Sequence, residues 1–196
     1  MLTWILTGMT ASALALPRPD PDDIFRATDG VPVARSNPSW TTEALLFVDQ
    51  TGDVFECATQ HSQGSERALR QLCHQLRRMD VRPASDREGR PIHGVVGVRV
   101  TRFPTEDSDA NLLTEHPDMM LPLPGNQLVG MAHALVEVEM DGRITHCEIQ
   151  FAPENADDAS KEAICDYLLT VPIGPMTDAD GNAVRYVRKI MVSVNG

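Results

Sequence analysis

The chain has 196 residues, 42% of them hydrophobic, which is enough for one packed domain or two small ones. Its formal net charge of -11 makes it a poor general partner for nucleic acid or anionic lipid, because both select clustered lysine and arginine. We therefore expect no nucleic-acid partner.

Residues 1–16 form an uncharged apolar run that ends in small residues. Ala11-Ser12-Ala13 and Ala13-Leu14-Ala15 both place alanines two positions apart, the pattern that a signal peptidase recognises. The run is shorter than the roughly 20 apolar residues of a membrane-spanning helix. The sequence predicts a cleaved signal peptide, a periplasmic protein and no stable membrane span after cleavage. An uncleaved anchor and a buried N-terminal helix are the alternatives.

Residues 44–103 and 134–196 carry the same landmarks in the same order, which predicts an internal repeat. The matched landmarks are Gly52 and Gly142, Cys57 and Cys147, Cys73 and Cys165, Pro83 and Pro175, Asp86 and Asp178, and Gly89 and Gly181. Segments 17–43 and 104–133 are rich in proline and acidic residues, so we interpret them as an N-terminal linker and an acidic linker between the copies.

Each copy is predicted to contain a hairpin, a helix and a closing strand. Gly52 and Gly142 lie between short β-type runs, and a tight hairpin turn needs positive φ. A stretch follows in which apolar residues recur at helical spacing. Alternating apolar residues over 92–103 and 183–194 predict the closing strands. The predicted fold class is α+β, with two tandem ββαβ units that are each a small antiparallel sheet covered by one helix.

The four cysteines occupy equivalent places in the two copies. Cys57 falls in the second strand, Cys73 falls in the helix that covers the sheet, and the other two repeat this placement. The expected disulfides are Cys57–Cys73 and Cys147–Cys165, each within one copy. A metal site is the alternative, but the chain has no Cys-x-x-Cys and no histidine at ligand spacing in both copies.

The first predicted helix region is basic, with Arg67, Arg70, Arg77 and Arg78, whereas the second copy is acidic. One hypothesis is that these arginines dock against acidic surface of the second copy. The alternative is a pair of ordinary solvated helix faces.

Several short motifs in the first copy resemble the C-terminal domain of TonB-family proteins. They are Val81-Arg82-Pro83-Ala84, the turn Asp86-Arg87-Glu88-Gly89 followed by Pro91, the closing strand 96–103, and Asn37-Pro38-Ser39-Trp40 ahead of the unit. Family members often have an aromatic residue where this chain has Val81. The second copy, with Ile173-Gly174-Pro175-Met176, is more diverged.

The resemblance implies a periplasmic binding module that engages an extended segment of an envelope or outer-membrane protein by strand addition, with a link to TonB-type transport. Because the chain shows neither a spanning anchor nor a long Pro-rich spacer, we expect a module without the power-coupling part. Family members use the closing strand as the binding edge. The corresponding candidate residues are Val95, Gly97, Arg99, Thr101, Phe103, Arg185, Val187, Lys189 and Met191.

A non-enzymatic structural or regulatory envelope protein is the alternative function. Its strand edges would be paired between its own two units, so pairing of strand 92–103 with strand 183–194 would favour it.

No catalytic constellation stands out in the sequence. It contains no Gly-x-Ser-x-Gly, no His-Glu-x-x-His, no phosphate-binding glycine loop and no dinucleotide motif. Cys73-His74 and His146-Cys147 are sequence neighbours whose side chains point apart. We therefore expect no enzymatic activity, no cofactor and no metal.

Overall fold

The structure is a computed structural model that describes residues 13–29, 31, 40–63, 65–102, 116–122 and 129–195. In chain order its elements are β1 (Arg18–Pro19), α1 (Pro21–Asp29), β2 (Trp40–Val48), β3 (Val54–Gln63), α2 (Glu66–Leu76), β4 (Val81–Arg82), β5 (Ala84–Ser85), β6 (Pro91–Arg102), β7 (Met119–Pro122), β8 (Gly130–Val138), β9 (Ile144–Phe151), α3 (Asp158–Thr170), β10 (Met176–Thr177), β11 (Ala183–Val184) and β12 (Tyr186–Asn195).

The fold is mixed, with three helices in the described residues and a mostly antiparallel main sheet, as the α+β class predicts. The main sheet has the strand order β3-β2-β6-β12-β8-β9, with β5 beside β6 and β7 beside β12. The prediction of a separate small sheet in each copy needs correction, because β6 and β12 pair with each other in parallel. The pairing runs from His93 opposite Tyr186 to Val95 opposite Arg188. It joins the first half, residues 40–102, to the second half, residues 130–195.

Both hairpin glycines adopt the positive φ that the sequence predicts, +99° at Gly52 and +85° at Gly142. Each also lies directly against the chain that follows the helix of its half. A Cβ on Gly52 would collide with the carbonyl oxygen of Val81, and one on Gly142 would lie 2.5 Å from the carbonyl carbon of Gly174. Glycine is therefore required twice over at these turns, for backbone conformation and for space.

The two long helices begin at polar caps and pack on the sheet through buried aliphatic residues. The Ser65 hydroxyl accepts a hydrogen bond from the Ala68 backbone N–H at 3.2 Å, and the Asp157 carboxylate accepts one from the Ser160 N–H at 2.8 Å. Such caps satisfy backbone donors that the first helical turn leaves unpaired. Among the described residues, no helix has both the length and the apolar character needed to cross a membrane.

Helices α2 and α3 lie on opposite faces of the main sheet. Within β6, Val98 packs in a cluster with Leu72 of α2, whereas Val95 packs in a cluster with Ile164 of α3. Because side chains three positions apart in a strand point to opposite faces, the two clusters lie on opposite sides of the sheet. The arginines of α2 therefore lie on the sheet face opposite α3, and docking of these arginines on other acidic surface of the second copy stays a hypothesis.

The segment predicted as the end of the signal peptide is packed into the fold. Leu14 is 4% exposed and lies in a cluster with Ala84, Leu135 and Val187, on the sheet face opposite α3. Ala15 pairs with Ser85 through two backbone hydrogen bonds of 3.2 and 3.0 Å. Residues 14–16 thus overlap the predicted leader, whose first twelve residues lie outside the described part of the chain.

Both predicted linkers contain secondary structure. The first contains α1, which packs against α2. The second contains β7, which pairs with β12 in parallel. Asp118, the residue before β7, also contacts β12. The Asp118 backbone and carboxylate hold the backbone of Met191, at 2.8 and 2.7 Å respectively.

Candidate peptide-binding groove

The second closing strand, β12, lies inside the sheet. On one side it pairs with β8 over residues 186–194, and on the other it meets β6, Asp118 and β7 in turn. The expectation that Val187 and Met191 form an exposed edge is therefore wrong in this structure, and Lys189, with an exposed side chain, lies between the contacts with β6 and with Asp118. The physical reason is that the first half and the linker occupy the side on which a peptide would have been added.

The first closing strand, β6, is also flanked by strands at its start. Val95 lies between Phe47 of β2 and Arg188 of β12. Gly97, Arg99 and Thr101 pair with β2 on one side, and the ladder with β12 ends before them. Phe103, the remaining candidate of this strand, lies outside the described residues.

Arg185 was predicted as an edge residue, but it connects the two halves. Its guanidinium contacts the carboxylate of Asp86 at 2.6 Å and that of Glu137 at 3.2 Å. Asp86 belongs to the turn before β6, and Glu137 belongs to β8 of the second half. Both carboxylate side chains are almost fully buried, at 0% and 6% exposed. A charged bridge thus lies beside the parallel pairing of β6 and β12.

The pKa of Asp86 reflects this environment. Burial by itself would raise the pKa, but hydrogen bonds from the Arg90 side chain and backbone and from the Glu88 backbone outweigh it. The pKa of Asp86 is therefore held below its ordinary value, and the carboxylate is charged near neutral pH. A buried, fully hydrogen-bonded carboxylate of this kind serves structure, because its oxygens are already occupied.

The outer strands of the main sheet are β3 and β9, each of which has one strand neighbour in the described part of the chain. Each carries one cysteine of a disulfide, Cys57–Cys73 in the first half and Cys147–Cys165 in the second. Both predicted pairings are confirmed. Each disulfide fastens a helix to the outermost strand of its half, with 5.5 Å between the paired Cα atoms.

A groove of about 510 Å³ runs between α2 and the outer strand β3. Its lining combines the disulfide with polar, basic and apolar side chains: Cys57, Thr59, Glu66, Leu69, Arg70, Cys73, His74 and Arg77. The disulfide gives the groove a covalently fixed element, and Leu69 gives it apolar surface. The edge of β3 beside it supplies backbone hydrogen-bonding groups.

The groove is basic although the whole chain is acidic. Arg70, His74 and Arg77 line it together with a single acidic residue, Glu66. Arg70 contacts Glu66 at 3.1 Å, but both side chains are well exposed, so the pair is weak and open to exchange. A carboxylate that reached the groove would therefore meet available guanidinium groups.

The corresponding surface of α3 has the opposite charge. Aligning Cys73 with Cys165 places Glu162 at the position of Arg70 and Asp166 at the position of His74. The basic charge of the groove lining is thus not repeated at these two positions of α3. Sequence reasoning identified the arginines, but it assigned the binding edge to the closing strands. A comparison of the two copies around their second cysteines would have identified the groove.

Neither a metal site in the described residues nor a known relative gives further evidence about function. They contain no cluster of three or more His, Cys, Asp or Glu side chains suited to holding a metal ion. No protein-family model, curated protein or solved structure matches the chain. The resemblance to the TonB C-terminal domain therefore stays a prediction that depends on the motifs quoted above.

Proposed function

We propose that this chain is a non-enzymatic binding module of the bacterial cell envelope, built from two TonB-like ββαβ copies. It binds an extended acidic segment of a protein partner as an added strand beside β3. The observation that carries the proposal is the basic groove between α2 and β3. The two disulfides support an oxidising compartment such as the periplasm, since disulfides persist there.

The outer position of β3 supports strand addition. An outer strand presents backbone N–H and C=O groups that a peptide can pair with, and such pairing gives affinity with little dependence on sequence. The neighbouring groove then supplies specificity through side chains. Because Cys57 and Cys73 are covalently joined, the two walls are held together before a ligand arrives, which reduces the entropy lost on binding.

The charge of the groove supports an acidic ligand. Guanidinium groups donate paired hydrogen bonds to carboxylates, and such charge-assisted bonds are stronger than neutral ones. Arg70 and Arg77 are exposed and line the same groove. The overall charge of -11 disfavours general attraction of an acidic peptide to the chain, so binding would depend on a local basic surface such as this groove.

A peptide titration tests the proposal. The probe is a short fluorescent peptide of alternating glutamate and valine, compared with a lysine–valine peptide of equal length. The double variant Arg70→Glu/Arg77→Glu should weaken binding of the acidic peptide by about tenfold or more, which corresponds to one lost charge-assisted bond. The control Arg67→Glu/Arg78→Glu makes the same change in net charge just outside the groove lining.

Amide hydrogen exchange locates the bound peptide. We expect added protection along β3 and none along β9, because β9 lies beside acidic residues of α3. Equal loss of affinity in the two charge variants would show that the acidic peptide responds only to the net charge of the protein. That result would contradict the proposal. Protection at β9 with none at β3 would contradict it equally.

A structural or regulatory role is the second candidate function, and the pairing of β6 with β12 favours it. In that role the protein holds its own closing strands together and needs no peptide ligand. It predicts that neither peptide binds in the titration and that no envelope segment protects β3.

A further inference from the structure

Residues 14–17 are a fixed part of the fold. Leu14 is buried, and Ala15 is paired to Ser85. Pro17 packs directly on Gly94, where a Cβ added to the glycine would lie 2.7 Å from the proline Cγ. Removing this segment would expose Leu135 and Val187 on the sheet face opposite α3. The mature protein therefore needs Leu14.

Two alanine pairs in the sequence would suit a signal peptidase, and the structure distinguishes between them. Cleavage after Ala15 would remove Leu14 from its cluster and break both backbone bonds between Ala15 and Ser85. Cleavage after Ala13 leaves every one of these contacts in place. Ala13 is exposed, and it is the last residue before the packed segment.

We propose that the leader is removed by hydrolysis of the Ala13–Leu14 peptide bond and that the new amino terminus forms an ion pair with Glu148. This inference rests on the proposed export of the chain. Water adds across the amide, the carboxylate stays on Ala13, and Leu14 leaves with a free amine that takes up a proton at neutral pH. The enzyme required is a peptidase of the signal-peptidase class.

The surroundings of Glu148 support the ion pair. Its Oε1 atom accepts a hydrogen bond from the Leu14 backbone nitrogen at 3.2 Å and lies 3.1 Å from Nε2 of His146. The Glu148 side chain is 25% exposed, so the contact is partly shielded from solvent. Cleavage turns a neutral amide donor at this position into an ammonium group, and a charge-assisted bond is roughly twice as strong.

N-terminal sequencing of the exported protein tests the site of cleavage. The full chain is expressed in an exporting bacterium, and the purified periplasmic protein is sequenced and weighed. A first residue of Leu14 supports the inference. A first residue of Leu16 or Pro17, or a periplasmic chain that keeps Met1, overturns the inference but leaves export intact, whereas a chain that keeps Met1 and is found only in the cytoplasm overturns the proposed export as well.

A stability cycle tests the ion pair independently of export. Oxidised protein that begins at Leu14 is prepared by fusion-tag cleavage, with and without Nα-acetylation, which restores the uncleaved amide. Acetylation should lower Tm by about 2–4 °C in a chain of this size. In the Glu148→Gln variant the acetylated and free forms should melt together. Equal effects of acetylation in both proteins, or no effect in the unaltered one, would overturn the ion pair.

Discussion

Arg185 illustrates how one side chain can decide the arrangement of the two halves. It is 29% exposed, and it lies between two buried carboxylates, Asp86 from the first half and Glu137 from the second. Burying either carboxylate without a cation would be costly, since an uncompensated buried charge loses its hydration. Asp86 already pairs with Arg90 of its own turn at 2.7 Å, so Arg185 adds a second cation from the other half and favours the relative position in which its guanidinium reaches both acids.

Acid should weaken the fold through Asp86. Its pKa is lowered in the folded protein, because hydrogen bonds from Arg90 and Glu88 outweigh the opposing effect of burial. The unfolded chain therefore takes up the proton first as the pH falls. The stabilisation is complete above about pH 4, the ordinary pKa of aspartate, and is lost as the pH falls below it.

The variant Asp86→Asn should lose about 3 kcal/mol of stability at pH 7, the low end of the range for a buried ion pair, since Asp86 is buried but its partners Arg90 and Arg185 are partly exposed. Its unfolding free energy should also vary less with pH below 4 than that of the unaltered protein. Asp178→Asn is the matched control, because Asp178 makes the same backbone contacts in the second half, to Asp180 and Asn182. Urea unfolding at several pH values measures both, and similar losses at pH 7 would contradict the role given to Arg185.

Substituting two glycines that share the same φ angle distinguishes the cost of backbone strain from the cost of close packing. Gly142 and Gly181 both have φ of +85°, but a Cβ would meet the backbone of Gly174 at Gly142 and nothing within 4 Å at Gly181. Gly181→Ala should cost about 1–2 kcal/mol, the strain of a left-handed residue. Gly142→Ala should cost about 1–3 kcal/mol more, because the neighbouring chain must move. Equal costs in urea unfolding would show that the turn has room to adjust.

At the scale of elements, the disulfides and the outer strands belong together. Each bond joins a helix to the strand at one end of the main sheet, where only one neighbour holds that strand among the described residues. Edge strands are the first to open and the most prone to wrong pairing. The bonds thus stabilise the elements that the sheet itself holds least.

Removing either disulfide should lower stability by about 3 kcal/mol, the cost expected for opening a loop of this size. Peptide binding should distinguish the two disulfide variants. Only the Cys57→Ser/Cys73→Ser variant loses the fixed wall of the groove, so only it should weaken binding of the glutamate–valine peptide. Unfolding and peptide titrations of this variant and of Cys147→Ser/Cys165→Ser measure both effects. An equal loss of binding would place the ligand outside the groove.

Local signals made much of the secondary structure predictable. Gly52 and Gly142 mark their turns, and the cysteine placement identified both disulfides, because each depends on residues close in sequence. The parallel pairing of β6 with β12 has no such signal, since it joins distant segments through only a short ladder. The same limit hid the role of Arg185 and the packing of Leu14, whose partners lie far along the chain.

For the whole molecule, the two halves are related by a rotation about an axis that runs along the strands. Such a rotation keeps β6 and β12 parallel, reverses the strand order and moves the helix to the other face, as observed. One consequence is a shared core. Phe47 and Val95 of the first half pack into the cluster built around Ile164 and Leu168 of the second.

A shared core predicts that the halves unfold together. The chain has two tryptophans and two tyrosines, and in a protein that begins at Leu14 the tryptophan is Trp40 of the first half while both tyrosines lie in the second. Tryptophan fluorescence and tyrosine difference absorbance therefore follow different halves in one urea titration. We expect coincident transitions, as a two-state domain requires.

The variant Cys147→Ser/Cys165→Ser sharpens this test, because it loosens the second half alone. If the sheet is continuous, the lost loop constraint destabilises the common folded state, and the midpoints seen by tryptophan and by tyrosine fall together. If the halves fold independently, only the tyrosine transition moves. A tryptophan midpoint unchanged by removal of this distant disulfide would contradict the join between β6 and β12.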